Sequence, residues 1–130
     1  LEKEFGYAYS LSCGRNQPSV MMGRLGFTFD QVASACLSSD SAPFKEACID
    51  SLGFSLASSG DVEKIIQGCQ IIEEEKYIQK CIKSAAGELV FQEVPGWDGK
   101  SKAVCRSLPN ISECLSYVER LVLDYHRVRN

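Results

Sequence analysis

Seven cysteines are the chemically richest residues of this chain, at positions 13, 36, 48, 69, 81, 105 and 114. Thiols in such number can hold a metal, run redox chemistry or close disulfides. Structural zinc sites take ligands paired about two to four residues apart. Here the nearest pair is Cys105 and Cys114, and no Cys-x-x-Cys occurs. His126 is the only histidine, which rules out a histidine-rich site and leaves no catalytic partner for it. Serine is frequent, but no Gly-x-Ser-x-Gly surrounds any of it, and no glycine-rich phosphate loop is present. Asp50 and Asp61, with Glu46, Glu63 and Glu88, form no recognisable carboxylate couple. The chain is therefore read as a non-enzyme with no cofactor and no metal, and its cysteines as disulfide formers.

The spacing of those cysteines carries an architecture. Cys36 to Cys69, Cys48 to Cys81 and Cys81 to Cys114 each span 33 residues, and Cys69 to Cys105 spans 36. Two interleaved series advancing at one period of about 33 residues fit stacked helix–turn–helix units. Neighbouring residues echo the period: Leu52-Gly53-Phe54 repeats Leu25-Gly26-Phe27, and Tyr77-x-x-x-Cys81 resembles Phe44-x-x-x-Cys48.

Two pairings suit this spacing. A short phasing joins Cys36–Cys48, Cys69–Cys81 and Cys105–Cys114 and leaves Cys13 unpaired. A long phasing joins Cys13–Cys36, Cys48–Cys69 and Cys81–Cys105 and leaves Cys114. Both remain open on spacing. The short one is preferred, since residues beside a tight turn most readily bring two Cα atoms within about 4.4–6.8 Å.

The elements that position these sulfurs read as helices. Phe29, Val32, Ala33 and Cys36 lie at three- and four-residue steps, as do Val62, Ile65, Ile66 and Cys69. Longer stripes run through Ile78, Cys81, Ile82, Ala85 and Leu89, and through Ile111, Cys114, Leu115, Val118, Leu121, Val122 and Tyr125. Thr28 with Gln31 and Asn110 with Glu113 fit capping boxes, and Pro43 suits a first helical turn after Ser41. Seven helices are expected, near 3–13, 18–25 running on to 29–38, 43–57, 61–72, 75–92, 99–107 and 111–127. The fold expected is an all-α stack of antiparallel helical hairpins. It forms one domain over 1–130, with units near 1–38, 43–72 and 75–107 and 111–127 as a terminal helix.

Composition agrees. The 130 residues are 45% hydrophobic and 24% charged, a globular profile. A net charge of −3 offers no basic surface for a phosphate backbone, so nucleic acid is not an expected partner. No apolar run approaches the roughly 20 residues of a membrane span. The opening Leu1-Glu2-Lys3-Glu4 lacks a signal-peptide pattern and reads as the start of a processed form.

The cysteine spacing over 36–118 resembles that of the cysteine-rich αα-hairpin repeat proteins of bacterial periplasm and secretions, in which a disulfide staples each hairpin. A related pattern, Cys-x-His-Gly-x-Gly-His, is matched only in part by Cys48-Ile49-Asp50-Ser51-Leu52-Gly53-Phe54; both histidines are absent, and any role of theirs does not carry over. The resemblance implies a binding surface rather than a reaction, in a secreted or periplasmic setting. The expected function is an extracytoplasmic, disulfide-stabilised module for protein binding or scaffolding. The alternatives are a carrier of a small apolar ligand and an intracellular thiol or metal-binding protein.

Contact residues are expected near the connectors. Trp97, in Pro95-Gly96-Trp97-Asp98-Gly99, leads them, because tryptophan is enriched at binding hot spots and loops carry function. Arg24 and Phe27 join it, with Tyr77 and Glu74 at the opposite turn. Glu73-Glu74-Glu75 otherwise reads as a solvated turn. Asn110-Ile111-Ser112 matches the N-glycosylation acceptor, although Asn110 equally suits a helix cap.

Overall fold

The computed structural model of this chain describes residues 28–92 and 95–129, and every regular element within them is an α-helix. In chain order these are α1 (Phe29–Leu37), α2 (Ala42–Ala57), α3 (Val62–Gln70), α4 (Glu75–Gln92), α5 (Trp97–Cys105) and α6 (Ile111–Arg129). The helix expected over 3–13, and the 18–25 part of the one expected to run on to 29–38, lie outside the described residues.

Local chemistry starts these helices where the sequence places its caps. Thr28 and Gln31 form the expected capping box: Gln31 N donates to Thr28 Oγ1 at 3.3 Å, and Thr28 N donates to Gln31 Oε1 at 2.8 Å. Ser41 caps α2 through Phe44 N, with Pro43 in the first turn where its missing N–H costs nothing. Asp61 caps α3 through Lys64 N at 3.3 Å. At Asn110 the side chain instead donates to the Glu113 carboxylate at 3.0 Å.

One start differs from expectation. Helix α5 begins at Trp97, not at 99, because Gly96 takes a left-handed φ of 76° and turns the chain into the helix two residues early.

Three disulfides join Cys36 to Cys48, Cys69 to Cys81 and Cys105 to Cys114, with Cα separations of 5.4–5.6 Å. This is the short phasing. Each bond spans the connector between a nine-residue helix and a longer one: α1 with α2, α3 with α4, α5 with α6. The covalent grouping is thus 28–57, 61–92 and 96–129, displaced by one helix from the units expected on the sequence. The displacement follows from where the sulfurs sit, flanking the connectors that precede the long helices. Cys13 lies outside the described residues.

Packing arranges these pairs around α4. It lies against α2 on one side and α6 on the other, with α3 and α5 also against it, while α3 touches α5. The core between these layers holds Val32, Cys36, Ile49, Leu52, Ile65, Ile82, Leu89, Val90, Val104 and Val118, all fully buried. The expected stripes supply most of this core. Ile111 is the exception, exposed at the first position of α6.

Candidate functional site

The long helices reach the surface together, and their outer face carries a groove of about 740 Å³. Its floor is α4, through Lys76, Lys80, Lys83, Ser84, Gly87 and Phe91; α2 contributes Asp50 and Phe54, and α6 contributes Glu113 and Tyr117. A second groove of about 530 Å³ shares Lys83, Glu113 and Tyr117 and runs on past Ser116 and Arg120.

Small residues between the helices decide how close the walls stand. A side chain at Gly53 would meet the Cys81 carbonyl oxygen at 2.5 Å and Ser84 Cβ at 2.8 Å, so only glycine lets α2 approach α4 this closely. Ser84 completes that seam, its hydroxyl donating to the Asp50 carbonyl at 2.6 Å. On the other wall a side chain at Gly87 would meet Leu121 and Tyr117 at 3.1–3.2 Å, so the Tyr117 ring lies against bare backbone.

The polar groups of the groove are partly matched to each other. Lys83 Nζ pairs with Glu113 at 3.2 Å and stands 5.2 Å from the centre of the Tyr117 ring. Glu113 also accepts from Asn110, and Glu88 accepts from Gln92 at 3.0 Å. Lys76 lies 4.8 Å over the Tyr77 ring. Burial pushes the Glu88 carboxyl above its ordinary range, against the opposing pull of its bond to Gln92. Burial, and then the negative charge of Asp50, push the Tyr117 phenol up.

Apolar surface lies among these charges. Phe54 is 46% and Phe91 41% exposed, large values for aromatic rings on a folded chain. Phe91 is steadied by an edge-on contact with Tyr125 at 5.1 Å.

Among the described residues no group of three or more His, Cys, Asp or Glu could hold a metal ion. The six paired cysteines are each fully buried, so their sulfurs offer no thiolate to a ligand.

The residues expected to make contacts are scattered by the structure. Tyr77 is buried, only 6% exposed, and belongs to the core; in the first turn of α4 its ring faces inward with the helix's apolar stripe. Trp97 sits in the first turn of α5, half-buried and packed against the core rather than extended from a loop. Glu74 is exposed in the α3–α4 connector, where its carbonyl accepts from Tyr77 N and Ile78 N. Asn110 is exposed as a glycan acceptor would have to be. Arg24 and Phe27 lie outside the described residues.

None of the described contact candidates, Trp97, Tyr77 and Glu74, lines the groove. Its signal lies on α4 beside the cysteine stripe: Lys76, Lys80, Lys83, Gly87 and Phe91 recur at three- and four-residue steps. No family model, no curated protein and no solved structure matches this chain.

Proposed function

We propose that this chain is an extracytoplasmic helical repeat module that binds another protein across the exposed face of its long helices. The single observation that carries the reading is the groove over α2, α4 and α6, where Phe54 and Phe91 stand exposed beside a row of lysines. Exposed aromatic rings at the centre of a polar rim suit a protein interface.

Two supports come from the bonding pattern. Three disulfides in 102 residues, from 28 to 129, fit an oxidising compartment, and none of the described helices is long and apolar enough to cross a membrane. A disulfide across the connector of each of three short–long helix pairs supports a repeat of about 33 residues, and the helix expected over 3–13 would make seven in all.

The test is site-directed photo-cross-linking in the native extracellular fraction. A photoreactive residue replacing Phe91 is expected to capture a discrete protein. The same residue replacing Glu63, exposed on α3 away from the groove, is expected to capture none. Equal capture at both positions, or none at either, would remove the binding reading.

A further inference from the structure

We infer that Asn110 carries an N-linked oligosaccharide, a modification that rests on the extracytoplasmic reading above. The triplet Asn110-Ile111-Ser112 is an acceptor pattern in which the asparagine nitrogen takes the sugar and the hydroxyl two residues on completes the signal. Asn110 also suits a helix cap, and the structure separates the two roles. A capping asparagine accepts through Oδ1 from an N–H of the first helical turn. Here the side chain donates instead, from Nδ2 to the Glu113 carboxylate at 3.0 Å. A carboxamide nitrogen carries two hydrogens. One meets Glu113, and a sugar can replace the other without loss of that bond.

Placement adds an independent support. Asn110 and Ser112 are exposed and Ile111 between them is 38% exposed, so the whole triplet stands outside the core. It lies where the connector closed by the Cys105–Cys114 bond enters α6. The second groove starts at Asn110 and Ser112 and passes Ser116 and Arg120, which gives the first sugars open, polar surface along the helix. Tyr125, on which Phe91 rests, is about 22 Å further along α6, so the sugar is anchored away from the apolar end of the larger groove. The donor is a lipid pyrophosphate-linked oligosaccharide. Asn110 Nδ2 bonds to C1 of its first sugar, the C1–O bond to pyrophosphate breaks, and Nδ2 gives up one proton as the lipid pyrophosphate leaves. No oxidant or reductant is consumed, and the oxidising lumen that forms disulfides is the compartment for such a step.

The test is intact-mass spectrometry of the full disulfide-bonded chain from the native extracellular fraction, before and after peptide N-glycosidase F. A ladder of glycoforms is expected. The enzyme should collapse it to one species about 1 Da above the unmodified polypeptide, because it leaves an aspartate at the acceptor position. Among chains secreted from cultured eukaryotic cells, Asn110→Gln and Ser112→Ala are each expected to lose the ladder, and Ser112→Thr to keep it. A native chain at its bare polypeptide mass would overturn the assignment. So would a glycan that survives both Asn110→Gln and Ser112→Ala. An unmodified chain that still captures a partner at position 91 would retain the binding module and reject the glycan. A glycosylated chain that captures nothing would do the reverse, which keeps the two failures distinct.

Discussion

Gly53 concentrates much of the structural argument in one missing methyl group. The α2–α4 seam closes over it, with the Cys81 carbonyl and Ser84 where a Cβ would stand. Gly53→Val must push two helix backbones apart, and overpacking of this kind costs about 1–3 kcal/mol. Urea denaturation should show that loss, while a Gly99→Ala control, whose Cβ meets nothing within 4 Å, should show no such overpacking cost. Tyr117 carries a second prediction at this scale. Its pKa is raised in the folded state by burial first and by Asp50 second, so the unfolded chain releases the phenolic proton before the folded chain does. Its contribution to stability is therefore intact below the ordinary tyrosine range, near 10, and is lost as pH rises through the folded pKa. Stability of the wild-type chain should fall faster than that of Tyr117→Phe as pH rises above about 10, measured by denaturation at each pH.

Each short helix gains its place from the long helix it is bonded to. A nine-residue helix is marginal alone, since isolated helices need about 12–15 residues even with good formers. Packing against α4 and a disulfide supply what α3 lacks. The Cys69–Cys81 bond closes a loop of 12 residues, worth about 3 kcal/mol through the unfolded state. A Cys69→Ala/Cys81→Ala chain should lose about that much, and α3 should lose amide-exchange protection before α4 does. Equal loss of protection across both helices would mean that α3 is held by its packing rather than by the bond. The placement of the lysine row follows from the same element geometry: α4 buries Cys81, Ile82, Ala85 and Leu89 on one face and thereby turns Lys76, exposed, and Lys80 and Lys83, half-buried, to the other.

At the scale of the whole molecule, three bonds buried within one core act together. All six bridged sulfurs are fully buried, and thiol–disulfide exchange needs access to sulfur. The folded chain should keep its disulfides in millimolar dithiothreitol and lose them rapidly once urea is added, with intact mass rising by about 6 Da on full reduction. Ready reduction of the folded chain would mean that the pairs open to solvent without global unfolding.

The helices and their ends were legible in the sequence, because capping side chains and apolar steps of three and four act within a turn or two of chain. Thr28 with Gln31, Ser41 with Pro43 and the stripe through Cys81 and Leu89 each find the same place in the structure. The cysteine period narrowed the pairing to two phasings, and the Cα distances across the connectors select the short one. Tertiary structure alone decided that Tyr77 goes inward, that Trp97 joins a helix behind a left-handed Gly96, and that the outer face of α4 becomes a groove. The reason is distance. Each wall of the groove stands 30 or more residues from its floor in the chain, and its width is set by contacts such as Gly53 on Ser84 and Gly87 on Tyr117, which no local pattern encodes.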